Sequence, residues 1–465
     1  MMRLMAPQRE HAVCHTAKRV VMRTCGCSRP EGDENLTIAQ GLRGRFLFSL
    51  TAPRRFDPAG MRHYTRPGPR HNARNDDPGL GGVRAAGYSR HLMVIDAIDV
   101  YWVRIPLAFV WKTSYADQHV TDTILVRMQS GPHHAWGESC PPYIPSYSSE
   151  HTLGTFHTVR EHMAPRIVGR DLRTAQDLLD RIDFVRGNQF ARAALEIAWW
   201  VLEAKRHGVP LHVALGGKGD AVAVGADFGI QDSLDILMSQ IQGAIDAGFP
   251  RIKLKFRPGW DLDMVAAVRS TFPDFTFHVD CNAAYTLADV ELFRALDRYR
   301  LAMIEQPLAD DGMSLVSHAE LQKRIATPVC IDESGHSLAH VRAAIALGSC
   351  KVVNIKMARV GGLAASRAIQ ALCAEHGIPC WVGGMLESAI GGAICVELAT
   401  LPNFTYPADI FPSSYFYAHD LGKPEIVLSG RGEVATSRVP GIAQEPDPDL
   451  LARWTVEHAS FRAKA

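Results

Sequence analysis

The sequence predicts an α/β protein with a modified (β/α) TIM barrel and an N-terminal α+β capping domain. From residue 221 onward, short apolar runs alternate with amphipathic helical segments, a pattern typical of parallel βα units. Upstream of residue 221, strand-like runs come first and helical segments follow, which is typical of an α+β domain. The chain has 465 residues and is 47% hydrophobic, so it is long enough to bury two domain cores.

Residues 1–90 are predicted to form a basic, disordered extension. They hold 15 arginines and one lysine against seven acids and show no sustained helical or strand period. Their net charge of +9 leaves −8 for the remainder, so the near-neutral total of +1 gives no sign of nucleic-acid binding. The arginines weakly resemble a transit peptide. Regular patterning begins at Met93, and we expect either an extension or a start codon placed too far upstream.

The capping domain is predicted over residues 91–220. Runs of alternating or apolar residues predict an antiparallel meander of three strands, at residues 94–106, 122–128 and 135–138. Residues 147–206 are then predicted to be helical. The last helix there is apolar but contains Glu196 and Glu203, so it indicates a buried helix and not a membrane span.

The barrel is predicted over residues 221–430, with a C-terminal segment, 431–465, packing back on the cap. Its first strand is expected at 222–228 and its first helix at 233–247. Five further strands are expected near positions 252, 277, 303, 329 and 352. A seventh strand is expected at 379–384, and a short eighth at 406–409. This count indicates a barrel in which one unit is irregular.

Five successive strand ends carry charged residues, 24 to 27 residues apart: Lys255, Asp280, Glu305, Asp332 and Lys356. Active sites of such barrels lie at the C-terminal ends of the strands. Three converging carboxylates would repel one another unless a divalent cation neutralised them, and oxygen ligands suit Mg²⁺. Each charge alone is more simply explained as a surface residue, but five in order favour a shared site. A lysine on either side of the metal could then move protons on a carbon next to a metal-bound carboxylate.

The remaining composition excludes other classes of protein. No apolar run reaches the roughly 18 residues of a membrane span. The ten cysteines form no CxxC pair and no disulfide framework, so we expect a reduced, cytoplasmic protein.

The strand-end motifs resemble those of the enolase superfamily, in its muconate-lactonizing-enzyme subgroup. The residues that carry this resemblance are 253–255, 279–282, 304–307, 331–334 and 354–356. Residues 359–363, 383–391 and 401–405 are most similar to the o-succinylbenzoate synthase / N-succinylamino acid racemase family. The resemblance runs from about residue 93 to about residue 451.

The resemblance implies a role for each residue of the site. It implies Mg²⁺, with Mn²⁺ as the alternative, held by the metal ligands Asp280, Glu305 and Asp332. It implies two acid/base residues, Lys255 and Lys356, on opposite sides of the substrate. It implies contacts to substrate from Lys253, Asn282, Asn354, Gly384, Met385 and Glu387. Glu333, next to Asp332, is expected by strand alternation to face away from the barrel interior.

Chemistry gives a reason for the paired lysines. A catalytic Lys255 must be neutral near pH 7, well below its reference pKa of about 10.4, and a neighbouring cation such as Lys253 favours the neutral form. Enolase-superfamily sites with Lys or His bases and Mg²⁺ ions are an established example of such tuning.

The resemblance predicts an o-succinylbenzoate synthase. Such an enzyme dehydrates 2-succinyl-6-hydroxy-2,4-cyclohexadiene-1-carboxylate in menaquinone biosynthesis. The alternative is an N-succinylamino or N-acylamino acid racemase; a dipeptide epimerase or a muconate cycloisomerase fits less well. A barrel that binds a ligand without turnover fits least, because none of the five charged residues is lost. We expect a small-molecule carboxylate substrate, no nucleic-acid or membrane partner, and a homo-oligomer.

Overall fold

The computed structural model describes residues 93–114 and 116–464, so the predicted extension at 1–90 lies outside the described residues. The described part begins with the predicted antiparallel meander. Its strands are β1 (Ala97–Lys112), β2 (Asp117–Ser130) and β3 (His133–Ser139). A C-terminal strand pairs antiparallel with β1 and completes a four-stranded sheet.

One face of this sheet packs against helices. The α-helices that follow β3 are α1 (Thr152–His157), α2 (Ala164–Ile167), α3 (Ala175–Ile182), α4 (Gln189–Arg206) and α5 (Leu211–Leu215), with a π-helical turn at Thr158–Met163. The region predicted to be helical from residue 147 is therefore several short helices and one long one. Twelve of the 18 residues of α4 are buried, which explains its apolar composition.

The second half contains a seven-stranded parallel sheet in sequential order. Its strands are β5 (Ala226–Phe228), β6 (Ile252–Lys255), β7 (Phe277–Asp280), β8 (Ile304–Glu305), β9 (Val329–Ile331), β10 (Val352–Ile355) and β11 (Cys380–Val382). The predicted first strand is split in two. Its start is β4 (Ala221–Ala223), which pairs with β13 (Glu433–Ala435) outside the barrel sheet, and only its end is β5.

The predicted eighth strand takes the form of isolated bridges that close the sheet. Phe404 bridges to Cys380 of β11, and Ala408 bridges to Val224 just before β5. Backbone hydrogen bonds accompany both bridges, from Thr405 N to Cys380 O at 3.1 Å and from Gly225 N to Ala408 O at 2.9 Å. The fold class predicted from the sequence is confirmed: a modified barrel behind an antiparallel-sheet cap domain.

Helices connect the barrel strands and cover the outside of the sheet. They are α6 (Leu234–Ala247), α7 (Leu262–Thr271), α8 (Val290–Leu296), α9 (Ser314–Gln322), α10 (Leu338–Leu347), α11 (Met357–Val360), α12 (Leu363–Glu375) and α13 (Ala389–Ala399). After the barrel come α14 (Ser413–Phe416), β12 (Gly422–Lys423), β14 (Glu445–Pro446), α15 (Pro448–Trp454) and β15 (Thr455–Arg462), the strand that pairs with β1. Among the described residues, no helix is long and apolar enough to cross a membrane.

Two buried cap-domain glutamates bind the N-termini of barrel helices. Glu196 of α4 accepts hydrogen bonds from the first two backbone N–H groups of α12, at 2.7 and 2.9 Å. Glu138 of β3 accepts from Ser388 and from Gly391 N, at the start of α13. Unpaired N–H groups and the positive end of the helix dipole favour a carboxylate at each position. These contacts fix the cap on the C-terminal side of the barrel sheet, where the charged strand ends lie.

Candidate active site

The barrel register places three charged residues side by side. Lys255 pairs with Asp280, and Asp280 pairs with Glu305, at the ends of three neighbouring parallel strands. Lys253 lies two residues before Lys255 and therefore on the same face of the strand. All four side chains are buried, with at most 7% of any residue exposed. The sequence argument from strand ends therefore brings these residues to one place.

Lys253 forms the centre of the first cluster. Its Nζ lies 3.0 Å from Asp280 Oδ2 and 2.9 Å from Glu305 Oε2, and it donates a hydrogen bond of 3.1 Å to Asp409. One ammonium group therefore bridges two predicted metal ligands. Lys255 donates to the same Asp280 Oδ2 at 2.8 Å and lies 3.9 Å from Asp227.

Asp332 and Lys356 form a second cluster with two residues that the sequence analysis did not select. Lys356 Nζ donates to Asp332 Oδ2 at 2.9 Å and to the Tyr147 hydroxyl at 3.2 Å. Tyr147 comes from the cap loop between β3 and α1, and its hydroxyl donates to Asp332 Oδ1 at 3.0 Å. Arg359 of α11 forms an ion pair with Asp332 and donates to Tyr147 at 3.1 Å. The cap therefore contributes directly to the surroundings of Lys356.

Two asparagines brace the predicted metal ligands. Asn354 donates from Nδ2 to Glu305 Oε1 at 2.6 Å. Asn282, at a positive φ of 43°, donates to Asp280 from both its backbone N–H and its side chain, at 3.0 and 3.1 Å. The same amide group lies 3.5 Å from Glu333 Oε1. Glu333 therefore faces the site, contrary to expectation, because a 3₁₀ turn at Glu333–Gly335 ends the alternation of β9.

A cavity of about 420 Å³ opens above these clusters, between the cap and the barrel. Of the predicted site residues, those that line it are Lys253, Lys255, Asn282, Lys356, Gly384 and Met385. Both predicted acid/base lysines therefore face one space. Asn354 is fully buried against Glu305, and Glu387 lines a smaller neighbouring cavity, where it accepts a hydrogen bond from Met385 N at 2.8 Å.

The electrostatics of the lysines differ from the prediction. Burial lowers the pKa of the Lys255 ammonium, but Asp280 raises it, and the net pKa lies above its ordinary value although Lys253 lowers it. Burial also lowers the pKa of Lys356, whereas Tyr147, Glu305 and Glu333 raise it, again to a net increase. Lys253 thus acts on Lys255 in the expected direction, but the facing carboxylate outweighs it.

The carboxyl groups separate into ionised and protonated ones. Burial raises the pKa of Asp280, but Lys253 and Lys255 lower it far more, so that its pKa is well below the ordinary range. Burial and the Asp280 charge instead raise the pKa of Glu333 to about 8. Asp280 is therefore a carboxylate at neutral pH, as a metal ligand must be.

The three predicted ligands fit a divalent cation in type and burial. They are oxygen donors with 0% exposure, and Glu305 Oε2 accepts no hydrogen bond from a described residue although Lys253 Nζ lies within ion-pair distance. The described part of the chain does not, however, hold three or more acids, histidines or cysteines already gathered around one point. Lysine and arginine side chains neutralise these acids instead. Asp280, Glu305 and Asp332 must turn toward a common centre to bind a metal.

Four residues of the site lay beyond the strand-end argument. Asp409 was predicted only as the end of a strand, yet it binds Lys253 and forms an ion pair with Arg251. Asp227 is the middle residue of β5 and pairs with Lys253, so it lies within the strand and not at its end. Its signal in the sequence was an acid inside a predicted barrel strand. Tyr147 and Arg359 carried no such signal, because a cap loop and a short helix after β10 supply them.

Comparisons with known proteins agree with this architecture. Residues 99–216 match the mandelate racemase / muconate lactonizing enzyme N-terminal domain, and residues 237–450 match the enolase C-terminal domain-like family. The chain is 40% identical over 366 residues to an o-succinylbenzoate synthase of Geobacillus kaustophilus, covering 78% of this chain and 96% of the relative. It is 38% identical over 364 residues to an N-succinylamino acid racemase of Amycolatopsis sp, covering 78% and 98%.

A solved structure gives the same result. An enolase-superfamily member from Listeria innocua is 31% identical, has a TM-score of 0.76, and covers 80% of this chain and 100% of that chain. Both halves of the described fold therefore match one group of enzymes. The chain belongs to the enolase superfamily and, within its muconate-lactonizing-enzyme subgroup, to the o-succinylbenzoate synthase / N-succinylamino acid racemase family.

Proposed function

We propose that this protein is a Mg²⁺-dependent o-succinylbenzoate synthase. The reaction removes the α-proton of 2-succinyl-6-hydroxy-2,4-cyclohexadiene-1-carboxylate and expels its hydroxyl group as water, which gives o-succinylbenzoate in menaquinone biosynthesis. This makes the protein a carbon–oxygen lyase. The similarity to several synthases supports this choice, and one of them is 96% covered at 40% identity.

One observation carries the proposal. Lys255 and Lys356 come from strands separated by three others, yet both ammonium groups line the same cavity. Each is held by a different carboxylate, Lys255 by Asp280 and Lys356 by Asp332. A substrate in that cavity can therefore meet a proton donor or acceptor from two directions.

Enzymes of this family use a divalent metal ion, and we propose Mg²⁺ held by Asp280, Glu305 and Asp332. All three are oxygen donors, which Mg²⁺ prefers to nitrogen and sulfur. Such an ion would bind the substrate carboxylate and stabilise the enediolate formed on proton removal by several kcal/mol. Asn354 and Asn282 would keep the carboxylates of Glu305 and Asp280 oriented, as their hydrogen bonds already do.

The lysines then carry the proton chemistry. Asp280 raises the pKa of Lys255. If Asp280 binds the metal ion and no longer pairs with Lys255, this increase is lost, and Lys255 loses its proton more readily to become the neutral base. Lys253 stays beside it and lowers its pKa. Lys356 holds or delivers a proton at the opposite side of the cavity. Gly384 and Met385 form part of the wall, and Glu387 supports it through Met385 N.

The second candidate is an N-succinylamino acid racemase. Two lysines on one cavity suit removal of an α-proton on one face and its return on the other, and a relative at 38% identity is such a racemase. The experiment is to supply the purified, Mg²⁺-loaded protein with both substrates. Dehydration, monitored by the change in ultraviolet absorbance, supports the synthase. Rapid racemisation of N-succinylamino acids without any dehydration would make the racemase the first candidate.

Three further assignments belong to the same proposal. The domain boundaries are 91–220 for the cap, 221–430 for the barrel and 431–465 for the C-terminal segment. We expect a homo-oligomer, and a measurement of the protein's molecular mass in solution will test this. We also expect a cytoplasmic location and no nucleic-acid or membrane partner.

A further inference from the structure

The cap-domain side of the active-site cavity carries a cation that the proton chemistry does not use. Arg104 lies on β1 and is the one arginine among the described residues that line the cavity. The three lysines that line it are bound to acids of the barrel: Lys253, Lys255 and Lys356. Arg104 is instead paired with an acid of the cap, Asp122.

Its guanidinium is held in place by cap residues. Arg104 is directly opposite Asp122 in the β1–β2 register, and its Nε donates to the two carboxylate oxygens at 3.1 and 3.4 Å. The Trp102 indole donates to the same Asp122 oxygen at 2.5 Å. The Tyr143 ring lies 4.6 Å from the guanidinium carbon, close enough for a cation–π contact. These contacts fix the orientation of a side chain that otherwise has many rotamers.

The contact with Asp122 uses only one edge of the guanidinium. Both hydrogen bonds to Asp122 come from Nε, so neither Nη1 nor Nη2 donates to that carboxylate, and the Tyr143 side chain is the other hydrogen-bond partner of the guanidinium. The Arg104 side chain is 38% exposed, whereas that of Asp122 is 1% exposed. Two parallel N–H groups on an oriented arginine match the two oxygens of a carboxylate. The geometry therefore offers a second carboxylate site, on the cap side of the cavity.

We propose that Arg104 binds the carboxylate at the end of the substrate's acyl arm and so selects dicarboxylates. This inference rests on the proposed function, because both candidate substrates carry a succinyl group. One carboxylate of such a substrate lies next to the reacting carbon, and the other ends the succinyl arm. The first carboxylate would bind near the acids and lysines of the barrel, and the second would bind Arg104 of the cap.

The test compares two substrates that differ only at the end of the arm. N-Succinyl-L-phenylalanine ends in a carboxylate, and N-butanoyl-L-phenylalanine has a methyl group in its place. The measured quantity is kcat/KM for exchange of the α-proton in D₂O, followed by NMR with the full chain and Mg²⁺. The variants are Arg104→Met and Arg104→Lys. The matched control is Arg166→Met, since Arg166 is also a cap arginine stacked on a ring, that of Phe184, but lies outside the cavity.

We expect Arg104→Met to lower kcat/KM for the succinyl substrate by about 10- to 100-fold, the usual worth of a charge-assisted hydrogen-bonded pair, and to leave the butanoyl substrate within about twofold. Arg104→Lys should retain part of the preference, because it keeps the charge but loses the paired donors. Arg166→Met should change neither substrate.

Two results overturn the inference. Equal loss with both substrates in Arg104→Met means that Arg104 only braces β1 against β2, and no loss with either means that the arm lies elsewhere. Failure of the proposed function looks different. In that case the unaltered protein exchanges neither substrate and dehydrates nothing, and the selection proposed for Arg104 falls with it. If the unaltered protein dehydrates the cyclohexadiene substrate but exchanges neither amide, kcat/KM for dehydration replaces the exchange rate, and an unchanged value in Arg104→Met overturns the inference.

Discussion

The Tyr147 hydroxyl is the cap's direct contact with the lysine predicted to act at the far side of the substrate. It donates to Asp332 at 3.0 Å and accepts from Lys356 at 3.2 Å and from Arg359 at 3.1 Å. Burial raises the pKa of Tyr147 to about 12, so the hydroxyl is neutral at pH 7 and can donate to Asp332. Tyr147→Phe removes these three bonds.

The size of the effect follows from these contacts. A hydrogen bond to a charged group contributes about 1.5–3 kcal/mol, and three such bonds share one oxygen here. Asp332 stays paired with Lys356 and Arg359 in the variant, so the loss should resemble one such bond and not three. A loss of about 1.5–3 kcal/mol at the transition state lowers kcat by roughly 10- to 100-fold.

The assay is α-proton exchange in D₂O, with kcat and KM determined separately. Tyr285→Phe is the matched control, because Tyr285 is a buried tyrosine of the barrel whose hydroxyl has no hydrogen-bond partner among the described residues. It should retain the normal kcat. The account is refuted if Tyr147→Phe keeps the normal kcat, or if its loss follows only a fall in melting temperature, since Tyr147 would then serve stability alone.

Three other outcomes are expected. Burial raises the pKa of Glu196 from 4.5 to about 7, so folding favours its protonated form and stability falls as pH rises between these values, by about 3 kcal/mol. Glu196→Gln should remove this part of the pH dependence of urea unfolding, and an unchanged pH slope contradicts it. Gly383→Ala should weaken Mg²⁺ binding by roughly tenfold, because the added methyl group overlaps Asn354, which holds Glu305. Calorimetric titration with the metal checks this, and equal affinities would exclude it. Chelation should abolish α-proton exchange and Mg²⁺ should restore it, whereas a rate that survives chelation contradicts a metal-dependent reaction.

The parts of the site that were predictable depend on local rules. Residues 253, 255, 280, 305, 332 and 356 were selected because strand ends recur once per βα unit and alternate side chains share a face. The fold class followed from the same rhythm and is confirmed. The assignment of roles to these residues stays a prediction, as do the domain boundaries.

The parts that were missed depend on contacts between distant segments. Tyr147 lies 185 residues from Asp332 and 209 from Lys356 along the chain, and a cap loop positions it. The periodic pattern of the barrel sequence contains no information on which cap residue contacts Asp332 and Lys356. Glu333 was predicted to face outward, but a 3₁₀ turn replaces the expected extended backbone and brings it near Asn282. Lys253 and Mg²⁺ were predicted to lower the pKa of Lys255. Lys253 does lower it, but Asp280, 2.8 Å away, raises it by more than Lys253 lowers it.

The central claim is that Lys255 and Lys356 serve one substrate from opposite sides, and the most direct measurement is α-proton exchange of each enantiomer of an N-succinylamino acid in D₂O. The Lys255→Ala and Lys356→Ala variants should each lose exchange with one enantiomer, by roughly 100- to 10,000-fold, and the two should lose different ones. If both variants exchange both enantiomers at the rate of the unaltered protein, the two lysines do not carry the reaction.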